Sequence, residues 1–275
     1  MFLRFSFHTY NCIMPAVRRT IIVFWMAGVA SWFGSAQAQE SRITPATRLN
    51  ELTVDRPGIA EAPYTVLPRQ YQLETGFDFY RRTDADVYYL PTMLFRTGLS
   101  ESAELRISAR NILESRRAGD VRGLSPITVG IKTHIIQQDG WIPETDILAD
   151  VIFPNGDSPL QPERTGHDIL LLFENDLSDQ VAVNYNVGYI WDGFTTEEMF
   201  TASVCFNYLP SDDWGVFIEY YDFLRKNSTK EHGIDGGFTY SLSPMVQFDL
   251  SAGISRVTGH WNHFVSTGVS FRVIR

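Results

Sequence analysis

Apolar and polar residues alternate along most of the chain after residue 68, with the period of two that is typical of β-strands. From Val181 to Trp191 the odd positions carry Val, Tyr and Trp, whereas the even positions carry mainly small or polar residues. The segment 245–256 repeats the pattern, with Val, Phe, Leu, Ala and Ile opposed by Gln, Asp, Ser and Gly. Each predicted strand therefore has one apolar face and one polar face.

This alternation predicts about twelve strands, at 69–81, 86–97, 102–113, 124–137, 141–153, 167–176, 180–192, 199–209, 213–223, 233–241, 245–256 and 261–274. Tight connections such as 98–101 alternate with longer loops such as 154–166. Short turns at one end and long loops at the other are typical of outer-membrane barrels, whose chain starts and ends on the periplasmic side. The sequence therefore predicts an all-β fold, a transmembrane outer-membrane β barrel of about 12 antiparallel strands formed by residues 69–275.

Four tryptophans give an independent indication of a membrane barrel. Trp141 and Trp214 follow predicted tight turns, while Trp191 and Trp261 lie beside predicted long loops. Each also has the parity of the apolar face of its strand. Outer-membrane barrels carry aromatic girdles at both lipid–water interfaces, so we expect these four side chains to face lipid. A soluble β-sandwich would place some of them in mid-strand.

Residues 1–38 have the features of a cleaved secretory signal peptide. An arginine pair at 18–19 precedes an apolar run over 21–33, and the small residues at 36–38 suit signal peptidase. The apolar run is too short to span a bilayer as a helix. Met14 would start a signal of ordinary length and is an alternative start. The sequence thus predicts export to the outer membrane of a Gram-negative bacterium.

The charge balance argues against a nucleic-acid partner, because 23 basic and 32 acidic residues give a formal net charge of −9 and an acidic chain repels phosphate backbones. The two cysteines, Cys12 and Cys205, form no CxxC motif, metal-ligand cluster or disulfide framework. We therefore expect no cofactor and no metal. The expected partners are the lipid bilayer of the outer membrane and a small-molecule solute.

Charged residues of both signs occupy the polar parity of the predicted strands, which faces the lumen of a barrel. Opposed charges in a narrow lumen would pair across it and form a constriction, although pairs that only brace and hydrate the wall explain the same pattern. In a barrel of eight strands, side chains can fill the lumen, whereas a barrel of sixteen or more strands has an aqueous channel. A barrel of twelve strands is intermediate. The candidate constriction residues of the strands are Glu74, Arg96, Glu104, Arg106, Lys132, Glu219 and Asp249.

Residues 39–68 form a periplasmic N-terminal segment that is too polar for a lipid-facing strand and is interrupted by four prolines. It could tuck into the lumen as a plug, with Asp55 and Arg56 paired to charges of the wall. A floppy periplasmic tail is the alternative. The expected partners of Arg56 in a plug are wall carboxylates such as Glu74, Glu104 and Glu219.

No catalytic constellation can be identified in the sequence. His260 and His263 are three residues apart on a predicted strand, which points them to opposite faces and argues against a shared metal. The acid pairs at 197–198 and 212–213 fall in a loop and a turn, where solvated charge is expected. Because no motif supplies a serine partner for a histidine, we expect no enzymatic activity.

Residues 54–57 read Val-Asp-Arg-Pro and residues 70–74 read Gln-Tyr-Gln-Leu-Glu, followed by distinctive segments at 90–100, 153–156 and 214–221. In their order and spacing these segments resemble the outer-membrane transporter family of the meta-pathway of phenol degradation. The resemblance implies a porin-like channel or transporter for small, aromatic or hydrophobic molecules. A non-conducting structural or surface-interaction barrel stays open as the alternative, and a barrel lipase or protease is less favoured.

We predict that the exported protein begins at Gln39, because Ala36 and Ala38 have the spacing that signal peptidase requires after the apolar run. Intact-mass measurement of protein recovered from the outer membrane checks this prediction. A stable, unprocessed species in the inner membrane would contradict it.

Overall fold

The computed structural model describes residues 52–117, 119–226 and 230–275. The predicted signal peptide at 1–38 and the first part of the N-terminal segment lie outside the described residues. Within the described ranges, no helix has the length and apolar character needed to cross a membrane.

The strands in the described part of the chain are β1 (Gln70–Arg81), β2 (Ala85–Ser100), β3 (Ala103–Arg116), β4 (Val121–Leu124), β5 (Thr128–Ile136), β6 (Glu144–Ile152), β7 (Gly166–Ser178), β8 (Val181–Trp191), β9 (Met199–Tyr208), β10 (Trp214–Arg225), β11 (Lys230–Ser243), β12 (Val246–Val257) and β13 (His260–Ile274). Neighbours along the ring pair antiparallel, and β1 pairs with β13 over its whole length. Twelve of these strands form a closed barrel, and β4 extends only the edge of β3. The predicted outer-membrane barrel fold is confirmed.

One predicted strand begins later than the sequence indicated, and a separate short strand precedes it. The sequence predicted a continuous strand over 124–137, but β4 ends at Leu124 and β5 begins at Thr128. Pro126 lies in the break, and a proline has no N–H with which to continue a ladder. The N–H of Ser125 instead donates to the carbonyl of Arg110.

The two ends of the barrel differ in their connections. At the turn end, where β1 begins and β13 ends, the short connections include 101–102, 179–180 and 244–245. At the opposite end, the loop end, the long connections include 117–127, 153–165 and 192–198. The loop end also has two short connections that the predicted alternation of lengths did not include, at 82–84 and 258–259. Because outer-membrane barrels have short periplasmic turns, the loop end is the extracellular end.

The outer face of the barrel is apolar and the inner face is polar, as the alternation predicted. On β12, Phe248, Leu250 and Ile254 are between 43% and 51% exposed. Their neighbours Asp249 and Ser251 are buried. The side chains that a soluble protein would bury are therefore those that face lipid here.

Three of the four tryptophans lie on strands, and the fourth does not. Trp214 and Trp261 are exposed on the outer face at opposite ends of the barrel, and Trp191 stacks on His167 with ring centroids 4.6 Å apart. Trp141, which was predicted to begin a strand, lies in the turn before β6 and is 90% exposed. Pro143, two residues further on, cannot donate to a ladder, so β6 begins after it and the parity argument does not apply to Trp141.

We predict that Leu250→Arg, near the middle of the lipid-facing band, lowers the free energy of unfolding by about 2–4 kcal/mol. The matched change Leu242→Arg lies close to the turn end, on the same outer face, and should cost about 0–1 kcal/mol because the charge reaches the interface. Urea unfolding of both variants in lipid vesicles measures the difference. Equal costs at the two depths would show that this face does not contact lipid.

Candidate functional site

Residues 52–68, which we call the leading segment, run inside the barrel before β1 begins. Strand side chains from around the ring bond to it, including Glu104 of β3, Asn186 of β8 and Glu219 of β10. Glu219 accepts from two successive backbone N–H groups of the segment, at 2.7 Å and 2.6 Å. The segment contains no strand, so wall side chains satisfy backbone groups that a ladder would otherwise pair.

Asp55 is the centre of the charged contacts between the leading segment and the wall. Both of its carboxylate oxygens accept from Nζ of Lys132 at 3.0 Å. The guanidinium of Arg96 lies 3.1 Å from the same carboxylate, and Arg106 also donates to it. All four side chains are at most 6% exposed. One carboxylate of the segment therefore joins cations from β2, β3 and β5.

The charge state of Asp55 follows from these neighbours. Burial alone would raise the pKa of its carboxyl, but the positive charges of Arg96, Lys132 and Arg106 outweigh burial and hold the pKa below its ordinary value. Asp55 is therefore ionised at neutral pH. It supplies the negative charge that three buried cations require.

Arg96 links Asp55 to two wall carboxylates. Its Nε lies 2.9 Å from Glu104 and its Nη1 lies 3.0 Å from Glu74. Arg106 contacts Glu104 at 3.2 Å. Because these side chains share partners, they form one connected ionic network. Its members are Asp55, Glu74, Arg96, Glu104, Arg106 and Lys132, and we call it the ionic network. Charged hydrogen bonds in such a buried site are stronger than neutral ones.

Arg56 lies in the lumen, but its guanidinium does not pair with most of the carboxylates that were predicted as its partners. Its guanidinium contacts Asp249 through Nε and Nη2, both at 3.3 Å, and Asp78 at 3.5 Å. Glu74 accepts instead from its backbone N–H at 3.1 Å. Of the other two predicted carboxylates, Glu104 belongs to the ionic network and Glu219 binds the segment backbone.

Two glycines explain where the Arg56 side chain goes. Gly76 of β1 lies opposite Gly268 of β13. A Cβ at Gly76 would lie 2.4 Å from Nη2 of Arg56, and one at Gly268 would lie 2.5 Å from its Nε. The missing side chains therefore leave the space on the wall that the guanidinium fills.

The sequence analysis missed the contacts that Glu61 and Tyr64 of the leading segment make with the wall. Glu61 lies 3.0 Å from Arg106, and the Tyr64 hydroxyl donates to Glu174 of β7. No apolar–polar alternation exists in this proline-rich segment, so no parity indicated the direction of either side chain. The predicted residues thus fall into three groups: the ionic network, the Arg56–Asp249 pair, and Glu219 on the segment backbone.

A cavity of about 420 Å³ lies beside the leading segment toward the loop end. Tyr80 and Phe264 stack on one side of it, with ring centroids 5.3 Å apart. Asp150 and Asp168 line the cavity from β6 and β7. Within the described ranges, no group of three or more His, Cys, Asp or Glu side chains could hold a metal ion.

Solved structures with the same fold include an outer-membrane channel and a porin. An outer membrane channel from Pseudomonas putida F1 matches with a TM-score of 0.59 and 12% identity, over 79% of this chain and 99% of that chain. The NanC porin matches with a TM-score of 0.50 and 11% identity, over 72% of this chain and 98% of that chain. At these identities the likeness shows the fold alone. A search among curated proteins found no match.

The sequence of the barrel and most of the leading segment match one protein family. Residues 54–273, which include the whole ionic network and all but the last residue of β13, match the family described as "Putative MetA-pathway of phenol degradation". This range covers far more than half of the chain, and it agrees with the resemblance found in the sequence. The chain belongs to that family.

Proposed function

We propose that the chain is a passive outer-membrane channel for small solutes, with the leading segment acting as a plug that narrows the lumen. The observation that carries the proposal is the set of charged contacts around Asp55 and Arg56, which hold an irregular segment inside a closed barrel. Apart from one bridge between Pro68 and Gly98, the segment has no strand pairing and can shift when its side-chain contacts break, whereas the wall stays closed by its ladders. The ionic network and the Arg56–Asp249 pair would then form the constriction.

The proposed solutes are small aromatic or otherwise apolar molecules. The family description refers to phenol degradation. The loop-end cavity, at about 420 Å³, falls within the usual size range of small-ligand sites, roughly 300–1,000 Å³. The stacked rings of Tyr80 and Phe264 offer an aromatic surface, and the nearby carboxylates can accept from a hydroxyl group of the solute.

A non-conducting structural barrel is the second candidate, and one observation favours it. The side chains of Arg96, Glu104 and Lys132 are fully buried, so the ionic network fills its level of the lumen. The proposed channel therefore requires that the leading segment moves. Conductance measurements distinguish the two candidates.

We predict that Arg56→Ala raises single-channel conductance severalfold in planar bilayers, because Asp249 and Asp78 lose the cation that holds the segment against β1 and β12. Heat-modifiable migration in gels should show that the variant still folds. The matched control is Arg122→Ala, which removes an exposed arginine of β4 outside the lumen.

Unchanged conductance of the folded Arg56→Ala variant would show that the leading segment is not a plug. The structural barrel would be favoured if neither the natural protein nor the variant showed channel conductance, and if neither increased phenol uptake by liposomes over that of empty liposomes.

We also predict that the channel prefers cations and neutral solutes over anions. Five acidic side chains line the loop-end cavity against three basic ones: Glu61, Glu74, Asp78, Asp150 and Asp168 against Arg56, Arg106 and Arg110. One carboxylate oxygen each of Asp150 and Asp168 has no hydrogen-bond partner in the described part of the chain. Reversal potentials in a KCl gradient measure the preference, and Asp150→Asn with Asp168→Asn should reduce it. An anion preference in the natural protein would contradict this prediction.

A further inference from the structure

A group of basic and aromatic side chains lies on the outer face of the barrel at the loop end, where neither the plug nor the cavity uses it. We call it the basic rim, and its members are Arg81, His232, Arg256, Trp261 and His263. All five are exposed. The strand register places them together, because His232 lies opposite Arg256, Arg256 opposite Trp261, and His263 opposite Arg81.

The positive charge of the basic rim is only partly balanced. Within the described residues Arg256 makes no ion pair, and its Cζ lies 5.8 Å from the centroid of the Trp261 ring. Arg81 lies 3.2 Å from Asp86, but its side chain is 65% exposed, and such surface pairs bind weakly. His232 is bonded to Asp222. Arg256 is therefore available to an external anion, and Arg81 can bind one by giving up its weak surface pair with Asp86.

The height of Arg256 matches the headgroup region of a membrane. From Val246 to Arg256 the chain rises about 25 Å, taking about 3.3 Å per residue and a strand tilt of about 40°. The apolar band of an outer-membrane barrel is about 25 Å tall. Below Arg256 on the same face lie Ile254 and Leu250, which are 43% and 51% exposed. The arginine thus sits at the top of the lipid-facing band, beside a girdle tryptophan.

The loops next to the basic rim are short. The connections next to it, at 82–84 and 258–259, are two of the shortest at the loop end, whereas 117–127 and 153–165 are long. A headgroup can therefore reach Arg81 and Arg256 from the plane of the membrane without a loop in between. Arg256, which makes no ion pair within the described residues, is thus an exposed cation on a chain whose net charge is −9.

We propose that the basic rim binds the phosphorylated headgroup of a lipid in the outer leaflet. Arg81, Arg256 and His263 would contact the phosphate, since a guanidinium pairs with phosphate through two parallel N–H donors. The acyl chains would lie along the apolar residues below, Ile254 and Val265. The match is one of charge and of amphipathic shape, and it holds whether or not the barrel conducts.

The test uses the full-length protein in neutral detergent, with bis-phosphorylated lipid A and with the same lipid after removal of its phosphates. Native mass spectrometry should show the phosphorylated lipid bound, and thermal unfolding should shift upward with its concentration. Arg81→Gln with Arg256→Gln should weaken binding by about tenfold per arginine. The control Arg122→Gln, at the same end of the barrel but on β4, should bind as the natural protein does.

Four results would overturn the proposal. Binding unchanged in the Arg81→Gln/Arg256→Gln variant would remove the site from the basic rim. Equal binding of the dephosphorylated lipid would show that only the acyl chains are recognised, and full competition by inorganic phosphate would indicate a general anion site. A dimer that the double variant abolishes, without any difference in lipid binding, would assign the surface to a second copy of this chain.

Discussion

The burial of charge inside the barrel is the constraint on which the lumen depends. Arg96, Arg106 and Lys132 project from three strands into a space with almost no solvent contact, and an unpaired charge there would be strongly destabilising. Two wall carboxylates, Glu74 and Glu104, do not suffice for three cations. The leading segment supplies the missing negative charge through Asp55. Its position in the lumen therefore balances the cations of the wall.

The same segment is held by contacts of very different kinds. Ionic contacts at Asp55 and Arg56 anchor it beside β1, β2, β3, β5 and β12. On the other side of the ring, Glu219 and Asn186 bond to its backbone. Strand ladders close the wall independently of these contacts. The segment can therefore be released by breaking its side-chain contacts while the strand ladders keep the barrel closed. A plug in a conducting channel would require this property.

The outer face differs from the lumen in where charged side chains are tolerated. In the middle of the membrane only apolar side chains are tolerated, as at Leu250, while charge is confined to the two ends. The basic rim and the loop-end cavity both lie toward the extracellular end, the rim as the proposed surface for lipid and the cavity as the proposed space for solute. The two use opposite charges: arginines outside, and an excess of carboxylates inside.

The alternation of the sequence determined the strands, the face that each residue occupies and hence the list of lumen charges, because side chains of a strand point alternately to its two sides. It failed where proline interrupts the ladder, at Pro126 and Pro143. The parity of a residue along its strand assigns it to a face of the barrel. It gives neither the height of the residue along the barrel axis nor its position around the ring. Only closure of β1 on β13 brought Arg56 to Asp249, 193 residues away, over Gly76 and Gly268. That pairing depends on strand register and on the missing side chains of two distant glycines, and both are properties of the closed barrel.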